Sequence, residues 1–189
     1  MSRKTALLVL DMQEGIASSV PSVPRIKNII KANQRAIEAA RQHRIPVIFI
    51  RLVLDKHFND VSSSNKVFST IKAQGYAITE ADASTRILED LAPLEDEPII
   101  SKRRFSAFTG SYLEVYLRAN DINHLVLTGV STSGAVLSTA LESVDKDYYI
   151  TVLEDAVGDR SDDKHDFIIE QILSRSCDIE SVESWKSSL

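Results

Sequence analysis

Three stretches of this sequence place reactive groups directly after a short apolar run. Asp11 follows TALLVL (Thr5–Leu10), Lys102 follows PIIS (98–101), and the turn GVSTSGA (129–135) follows LVLT. A carboxylate can transfer a proton, an ammonium can hold an anion, and the unpaired N–H groups of a strand-to-helix turn suit an anion or an oxyanion. The turn holds neither a Cys nor a GxSxG serine, so a nucleophile is missing from it.

The runs that carry these groups alternate with helix-like segments. Apolar runs predict strands at 5–10, 45–54, 98–101, 125–130, 148–153 and, at the sheet edge, 178–182. Helical spacing predicts helices at 24–43, 66–74, 83–91, 111–118, 162–174 and directly after Ser133. The composition of residues 15–24 predicts a loop. Ser111 and Glu114 have the spacing of a helix capping box.

This alternation predicts an α/β fold: a three-layer open, mostly parallel sheet of about six strands with helices on both faces. We expect one domain over residues 1–189. Because the carboxyl ends of parallel strands share one sheet edge, the three reactive groups are expected to lie there together. GxGxxG and GxxxxGK[ST] are both absent, which argues against dinucleotide and P-loop sites.

Composition excludes several classes of protein. The net charge of −5 and the lack of a basic stripe argue against nucleic-acid binding. No apolar run approaches the length of a membrane span, and the first ten residues lack the apolar core of a signal peptide. The single Cys177 rules out an internal disulfide, which fits a reducing compartment. We therefore expect a cytoplasmic protein that does not bind membranes.

Other polar residues near predicted strand ends carry weaker signals. Asp55 and His57 could bind a metal, but a pair is weak support and we predict no metal site. Gln13 could position a water molecule or bond the loop backbone. Asp155 ends a predicted strand, where capping the following turn is its expected role. His165 lies on a helix face that the pattern exposes to solvent, and we assign it no catalytic role.

Four segments together resemble the isochorismatase-like (cysteine hydrolase) family: LLVLDMQ, SKRRFSAFTGSYLEVYLR, LVLTGVSTSGAVLSTAL and ITVLEDA. They occur in the family's order and spacing and, with the elements between them, cover nearly the whole chain. The resemblance implies that Asp11 is the acid/base and that Lys102 holds and polarises the reacting centre. It also implies that Val130 and Ser131 form a peptide that is typically cis and contributes to the oxyanion site. The GxxTxxC pattern puts Ala135 at the nucleophile position.

The missing thiol leaves two interpretations open. In the first, the chain is a hydrolase without a covalent nucleophile, as true isochorismatases in the family are. There the Asp protonates the vinyl ether of isochorismate, and water captures the oxocarbenium ion to give pyruvate and a dihydroxy-diene acid. The run KRRFSAF resembles the KxRYSAF of those enzymes, so Lys102 and Arg104 would receive carboxylates and Phe105 would replace a Tyr of the pocket. Ser131 stands where those enzymes have the aromatic residue of a GVY turn.

In the second interpretation the protein is catalytically inactive and binds a small acid or a protein partner. A Cys→Ala variant of a cysteine amidohydrolase would also carry Ala135, although the STSGAV context favours a native Cys-less branch. Cys177 lies in a different element, and we do not expect it to act as a nucleophile. The resemblance implies no cofactor, a small organic acid as substrate, and a homo-oligomer, either a dimer or a tetramer.

Overall fold

The sheet of this protein has six strands in the computed structural model, which describes residues 3–18 and 23–189. The strands are β1 Thr5–Leu10, β2 Val47–Leu52, β3 Ile99–Lys102, β4 His124–Val130, β5 Tyr149–Gly158 and β6 Asp178–Glu180. They lie in the order β3-β2-β1-β4-β5-β6, and each pairing between neighbouring strands is parallel. The predicted parallel α/β sheet is confirmed.

The strand order reverses direction at the centre of the sheet. From β1 the chain builds outward through β2 to β3, then returns to pair β4 with the other side of β1. Open α/β sheets bind ligands at such a switch point, outside the carboxyl ends of the strands. The crevice between the ends of β1 and β4 is therefore the expected position of a site, and it lies between Asp11 and the turn that begins at Ser131.

Helices cover both faces of the sheet and complete three layers. They are α1 Glu14–Ala17, α2 Val23–Gln42, α3 Lys66–Ala73, α4 Leu113–Ala119, α5 Leu137–Asp145, α6 Asp162–Phe167 and α7 Val182–Ser187. Alternating side chains of β1 bury Leu8 and Leu10 with α4 and α5 on one face, and Leu7 and Val9 with α2 and α7 on the other. Among the described residues, no helix has the length and apolar composition that a membrane span requires.

The helix predicted at 83–91 is wrong. The segment forms two short 3-10 turns, Ala83–Thr85 and Glu89–Leu91, with an extended piece between them. The extended piece pairs with the loop after β1, because Leu88 donates its N–H to Met12 O and Ile87 bridges to Gln13. These tertiary bonds replace the helical ones.

Three smaller predictions also differ from the structure. Within the loop predicted at 15–24, residues 15–17 belong to α1 and residues 23–24 to α2, while 19–22 lie outside the described residues. The predicted capping box does not form, because Ser111 Oγ accepts from Leu113 N–H whereas Glu114 pairs with Lys146. The helix predicted at 162–174 begins as α6 and continues through a π-helical turn to a 3-10 turn that ends at Arg175.

Strand β5 continues beyond its predicted end at residue 153 to Gly158. Its register against β4 shifts, from Leu127 opposite Val152 to Gly129 opposite Val157, so β5 bulges between these pairs. The bulge exposes Glu154 and Asp155, whose polarity suggested a strand end. The residue that leaves β5 at the carboxyl edge of the sheet is instead Asp159.

Candidate active site

Asp11 and Lys102 form a buried ion pair at the carboxyl edge of the sheet. Asp11 follows β1, where its N–H donates to Ile50 O, and Lys102 is the last residue of β3. Strand β2 lies between them, so the long lysine side chain reaches across its end. Lys102 Nζ lies 2.9 Å from Asp11 Oδ2, and the side chains are 0% and 8% exposed. The two strand-end residues that the sequence predicted to lie together are in contact.

The second carboxylate oxygen of Asp11 differs from the first in its surroundings. Asp11 Oδ1 is buried and makes no hydrogen bond within the described part of the chain. Burial raises the pKa of Asp11, and this effect outweighs the charge and hydrogen bond of Lys102, which lower it. A carboxyl group with a raised pKa and one unpaired oxygen can carry a proton to a bound molecule.

Lys102 is also held by Phe105, whose carbonyl oxygen accepts a hydrogen bond from Nζ. An ammonium has three donors, so one remains after Asp11 and Phe105. Phe105 is 41% exposed, and its ring centroid lies 5.3 Å from that of Phe68. A Cβ added at Gly134 would lie 3.4 Å from Cδ1 of the Phe105 ring. Phe105 therefore connects the lysine to the turn after β4.

Residues 131–135, which we call the site turn, leave β4 beside Asp11. Gly129 has a φ of +105°, and a Cβ there would overlap the carbonyl oxygen of Leu10, so only Gly permits this approach to β1. The peptide between Val130 and Ser131 is cis. Ser131 O then accepts the N–H groups of Gly134 (3.1 Å) and Val136 (3.2 Å), which closes a π-helical turn before α5.

Ala135 is 1% exposed within this turn and presents a methyl group where the GxxTxxC pattern has a thiol. The single Cys177 precedes β6, whose first residue pairs with Thr151 early in β5. Cys177 is therefore at the opposite, amino edge of the sheet, and burial raises the pKa of its thiol to about 11. Neither its position nor its ionisation suits a nucleophile in this site.

Gln13 and Arg104 both have backbone partners. Gln13 is 1% exposed and bonds Leu52 twice, accepting its N–H at 2.7 Å and donating to its carbonyl at 3.1 Å. The partner is thus the backbone at the end of β2, whereas the predicted alternative was a bond to the loop backbone. Arg104 donates to the carbonyls of Arg103 and Asp60, and its Cζ lies 5.0 Å from the Phe68 ring centroid.

The weak metal candidate is part of a turn. Asp55 Oδ1 accepts the N–H groups of His57 (2.9 Å) and Asn59 (3.2 Å), and these bonds lower the pKa of the Asp55 carboxyl. Asp155 Oδ1 accepts the N–H of Val182 at 2.8 Å, so this residue caps α7 instead of the turn that follows its own strand.

Two residues that contact the site turn were not identified from the sequence. Asp159 is 2% exposed, and its Oδ2 accepts the N–H of Ser133 at 2.7 Å. His165 Nδ1 lies 2.8 Å from Thr132 Oγ1 and is partly buried, so its predicted solvent exposure is wrong. A strand-end Asp followed by a His on the next helix is the signal that could have identified them, but the bulge in β5 hides where the strand ends.

Comparisons with known proteins show which family the chain resembles. A family described as Isochorismatase domain matches residues 5–184. The chain is 32% identical over 197 residues to a probable inactive nicotinamidase of Arabidopsis thaliana, covering 99% of this chain and 97% of that one. It is 30% identical over 174 residues to the ureidoacrylate amidohydrolase RutB of Yersinia enterocolitica, covering 80% and 74%. A solved isochorismatase family protein of Burkholderia thailandensis superposes with a TM-score of 0.85 at 25% identity, covering 100% and 97%.

Proposed function

The chain belongs to the isochorismatase family, and from that premise we propose that it hydrolyses a small carboxylate-bearing substrate, with isochorismate as the first candidate. The family acts on small molecules, which makes hydrolysis of one the coarse expectation. The observation that carries the finer proposal is the buried Oδ1 of Asp11, which bonds no residue that the structure describes, beside an Oδ2 paired with Lys102. This arrangement supports proton donation by Asp11 without a covalent nucleophile.

The proposed reaction begins with a proton transfer from Asp11 to the terminal carbon of the vinyl ether. The transfer leaves an oxocarbenium ion, and water adds to its electrophilic carbon. The resulting hemiketal loses the ring alcohol, which breaks the C–O bond and gives pyruvate and a dihydroxy-diene acid. The proton that water releases returns to Asp11, so one water is consumed and the acid is regenerated.

Lys102 serves two purposes in this proposal. Its charge, 2.9 Å from Asp11 Oδ2, stabilises the carboxylate that remains after the proton leaves. Its remaining donor can receive a carboxylate of the substrate, since Asp11 and Phe105 occupy the other two. The methyl group of Ala135 leaves space in the turn where a thiol would otherwise lie.

The first experiment compares matched Asp→Asn variants. Asp11 and the exposed Asp121 both have left-handed backbones, with φ of 51° and 53°, a conformation that Asn also tolerates. With isochorismate as substrate and pyruvate release as the signal, we expect Asp11→Asn to lower turnover by about a hundredfold or more, because Asn has no carboxyl proton. Asp121→Asn should turn over like the wild type.

The outcomes of that assay separate the claims. A wild type that releases no pyruvate would refute isochorismate as the substrate. A normal rate in Asp11→Asn would refute the role of Asp11 as the acid.

The second candidate function is binding without catalysis, which the similarity to a probable inactive nicotinamidase over 99% of this chain favours. It predicts that isochorismate or pyruvate binds, as measured by calorimetry, while no product forms.

An Ala135→Cys variant adds a further test. If that variant, and not the wild type, hydrolyses nicotinamide, the site would have descended from that of a cysteine amidohydrolase. Acid catalysis would then not be its original chemistry.

A further inference from the structure

We propose that Asp159 and His165 are positioning residues that hold the site turn in its working conformation. Both come from the segment that leaves β5 and enters α6, on the side of the turn opposite β1. Neither residue touches Asp11 or Lys102 through any hydrogen bond or ion pair among the described residues. Their contribution to the proposed reaction, on which this inference rests, would pass through the turn.

Asp159 supplies a cap that the turn does not provide for itself. Ser131 occupies the N-cap position of the helical turn, yet within the described part of the chain its side chain makes no capping hydrogen bond. Asp159 Oδ2 instead accepts the N–H of Ser133 at 2.7 Å, and its Oδ1 accepts the N–H of Arg160 at 2.8 Å. A carboxylate at a helix amino end satisfies an unpaired donor and interacts favourably with the helix dipole.

The charge of Asp159 is matched to this position. Burial alone would raise the pKa of Asp159, but hydrogen bonds from Ser133 and Arg160 and the charge of Lys164 outweigh burial and lower it. Lys164 Nζ lies 3.8 Å from Oδ1. The side chain therefore remains an anion, and it occupies the Ser133 N–H that a substrate anion could otherwise have used.

His165 anchors the neighbouring residue of the turn. Thr132 is fully buried, and its Oγ1 lies 2.8 Å from His165 Nδ1. Burial lowers the pKa of His165, and the charge of Arg25 lowers it further, against the opposing charges of Asp166, Asp159 and Glu154. Consecutive turn residues, Thr132 and Ser133, are thus held by two side chains of one segment. A turn anchored at adjacent positions has less freedom to rotate than one held by its own backbone bonds.

The test uses amide hydrogen exchange of the full chain, read by NMR. Asp155 provides a matched control, because it lies on β5, shortly before Asp159, and also accepts one helix N–H at 2.8 Å, that of Val182 in α7 and not one of the site turn. We expect Asp159→Ala to speed exchange of the Ser133 amide about tenfold or more relative to wild type. Asp155→Ala should leave that amide unchanged.

Conservative variants distinguish positioning from general stability. Asp159→Asn keeps an acceptor oxygen and should restore most of the Ser133 protection. Equal exchange at Ser133 in Asp159→Ala and Asp155→Ala, or no recovery in Asp159→Asn, would overturn the role of Asp159. Because Asn is nearly the same shape as Asp, this variant still reports if Asp159→Ala does not fold.

The His165 contact is tested by a double-mutant cycle with Thr132→Val and His165→Leu. The signal is hydrogen exchange of the Val136 amide, whose bond to Ser131 O closes the turn. If the two side chains act together, the double variant should change this exchange rate no more than the single variant with the larger effect. His165→Asn, which keeps a polar atom near the position of Nδ1, should behave like the wild type. Additive effects in the cycle would overturn the contact as a positioning device.

A kinetic measurement links the contact between Asp159 and the site turn to the proposed reaction. With isochorismate, kcat/KM should fall about tenfold or more in Asp159→Ala, recover in Asp159→Asn, and stay near the wild-type value in Asp155→Ala. Turnover that survives Asp159→Ala despite a loosened turn would contradict the catalytic part of the inference. A wild type without turnover would count against the proposed function alone, since the exchange measurements need no substrate.

Discussion

The two carboxylate oxygens of Asp11 are in different surroundings. One pairs with an ammonium that is itself fully buried, and the other is buried with no hydrogen-bond partner in residues 3–18 and 23–189. Removing either member of a buried pair leaves the other charge uncompensated, which costs far more than losing a surface pair. This difference makes Asp11 and Lys102 interdependent for stability as well as for the proposed chemistry.

Replacing Lys102 should reveal that dependence. We expect Lys102→Met to lower the free energy of unfolding by about 3 kcal/mol, because Asp11 is left without its cation. The loss should grow as the pH rises, since an unpaired Asp11 can escape the penalty at low pH by staying protonated. Urea unfolding at several pH values measures both effects.

The control for that variant is Lys146→Met. Lys146 Nζ lies 2.7 Å from Glu114 Oε2, but the two side chains are 27% and 42% exposed. Solvent screens pairs of this kind and weakens them, so a much smaller loss is expected. Similar losses for Lys102→Met and Lys146→Met would show that the Asp11–Lys102 pair behaves like a surface pair.

At the scale of elements, the site depends on how closely β4 approaches β1. Leu10 and Gly129 are paired in register, and the glycine has no room for a Cβ. The close approach brings the start of the site turn beside Asp11. The turn itself closes through bonds to Ser131 O, so its position follows from the end of β4.

Gly129→Ala should therefore be strongly destabilising. The new Cβ must displace the β1 backbone, and the alanine must also adopt a φ of +105°. We expect the free energy of unfolding, measured with urea, to fall by about 3 kcal/mol or more. Gly75→Ala is the matched control, because Gly75 has φ +66° with no atom within 4 Å of a built Cβ. Its loss should be about 1 kcal/mol, the cost of backbone conformation alone. Equal losses would contradict the steric explanation.

At the scale of the whole molecule, the two edges of the sheet do different work. His124 at the amino edge bonds Thr5 through Nδ1 and Thr151 through Nε2, each at 2.9 Å, and so joins β1, β4 and β5. Burial, with the charge of Arg3, lowers the pKa of His124 to about 4. The proposed chemistry lies at the carboxyl edge, so this histidine should affect stability and not the site.

The lowered pKa of His124 predicts a loss of stability in acid. The unfolded chain binds the proton near the ordinary value of 6.5, whereas the folded chain binds it only near about 4. Stability should therefore fall as the pH drops through this interval, by no more than about 3 kcal/mol. When the pH is lowered from about 7 to about 4, the free energy of unfolding in urea should fall less for His124→Gln than for the wild type. Parallel curves for the two proteins would refute this contribution.

The sequence predicted the sheet better than the details around the site. Continuous apolar runs such as 5–10 identify buried parallel strands, because both faces of the sheet are covered. The strand ends then brought Asp11 and Lys102 to one edge, as predicted. The prediction for segment 83–91 was wrong because its apolar spacing fits a helix. Hydrogen bonding to Met12 and Gln13 instead holds the middle of the segment in an extended conformation.

Asp159 and His165 were missed for a related reason. Between the residue pairs that Leu127 and Gly129 of β4 form with it, β5 bulges, exposes two acidic residues and then rejoins the sheet. Neither the alternating nor the continuous apolar pattern of a regular strand describes such a bulge. The contact of His165 with Thr132 depends on how α6 docks against the site turn. Tertiary docking of this kind cannot be deduced from local spacing.

The pH dependence of pyruvate release from isochorismate tests the central claim of acid catalysis by Asp11 most directly. Because burial raises the pKa of Asp11 and the protonated form is the active one, the rate per enzyme should be highest in acid. It should fall as the pH rises through that pKa, in the pH range where urea unfolding shows the protein folded. Release that instead increases with pH through that range would contradict Asp11 as the proton donor.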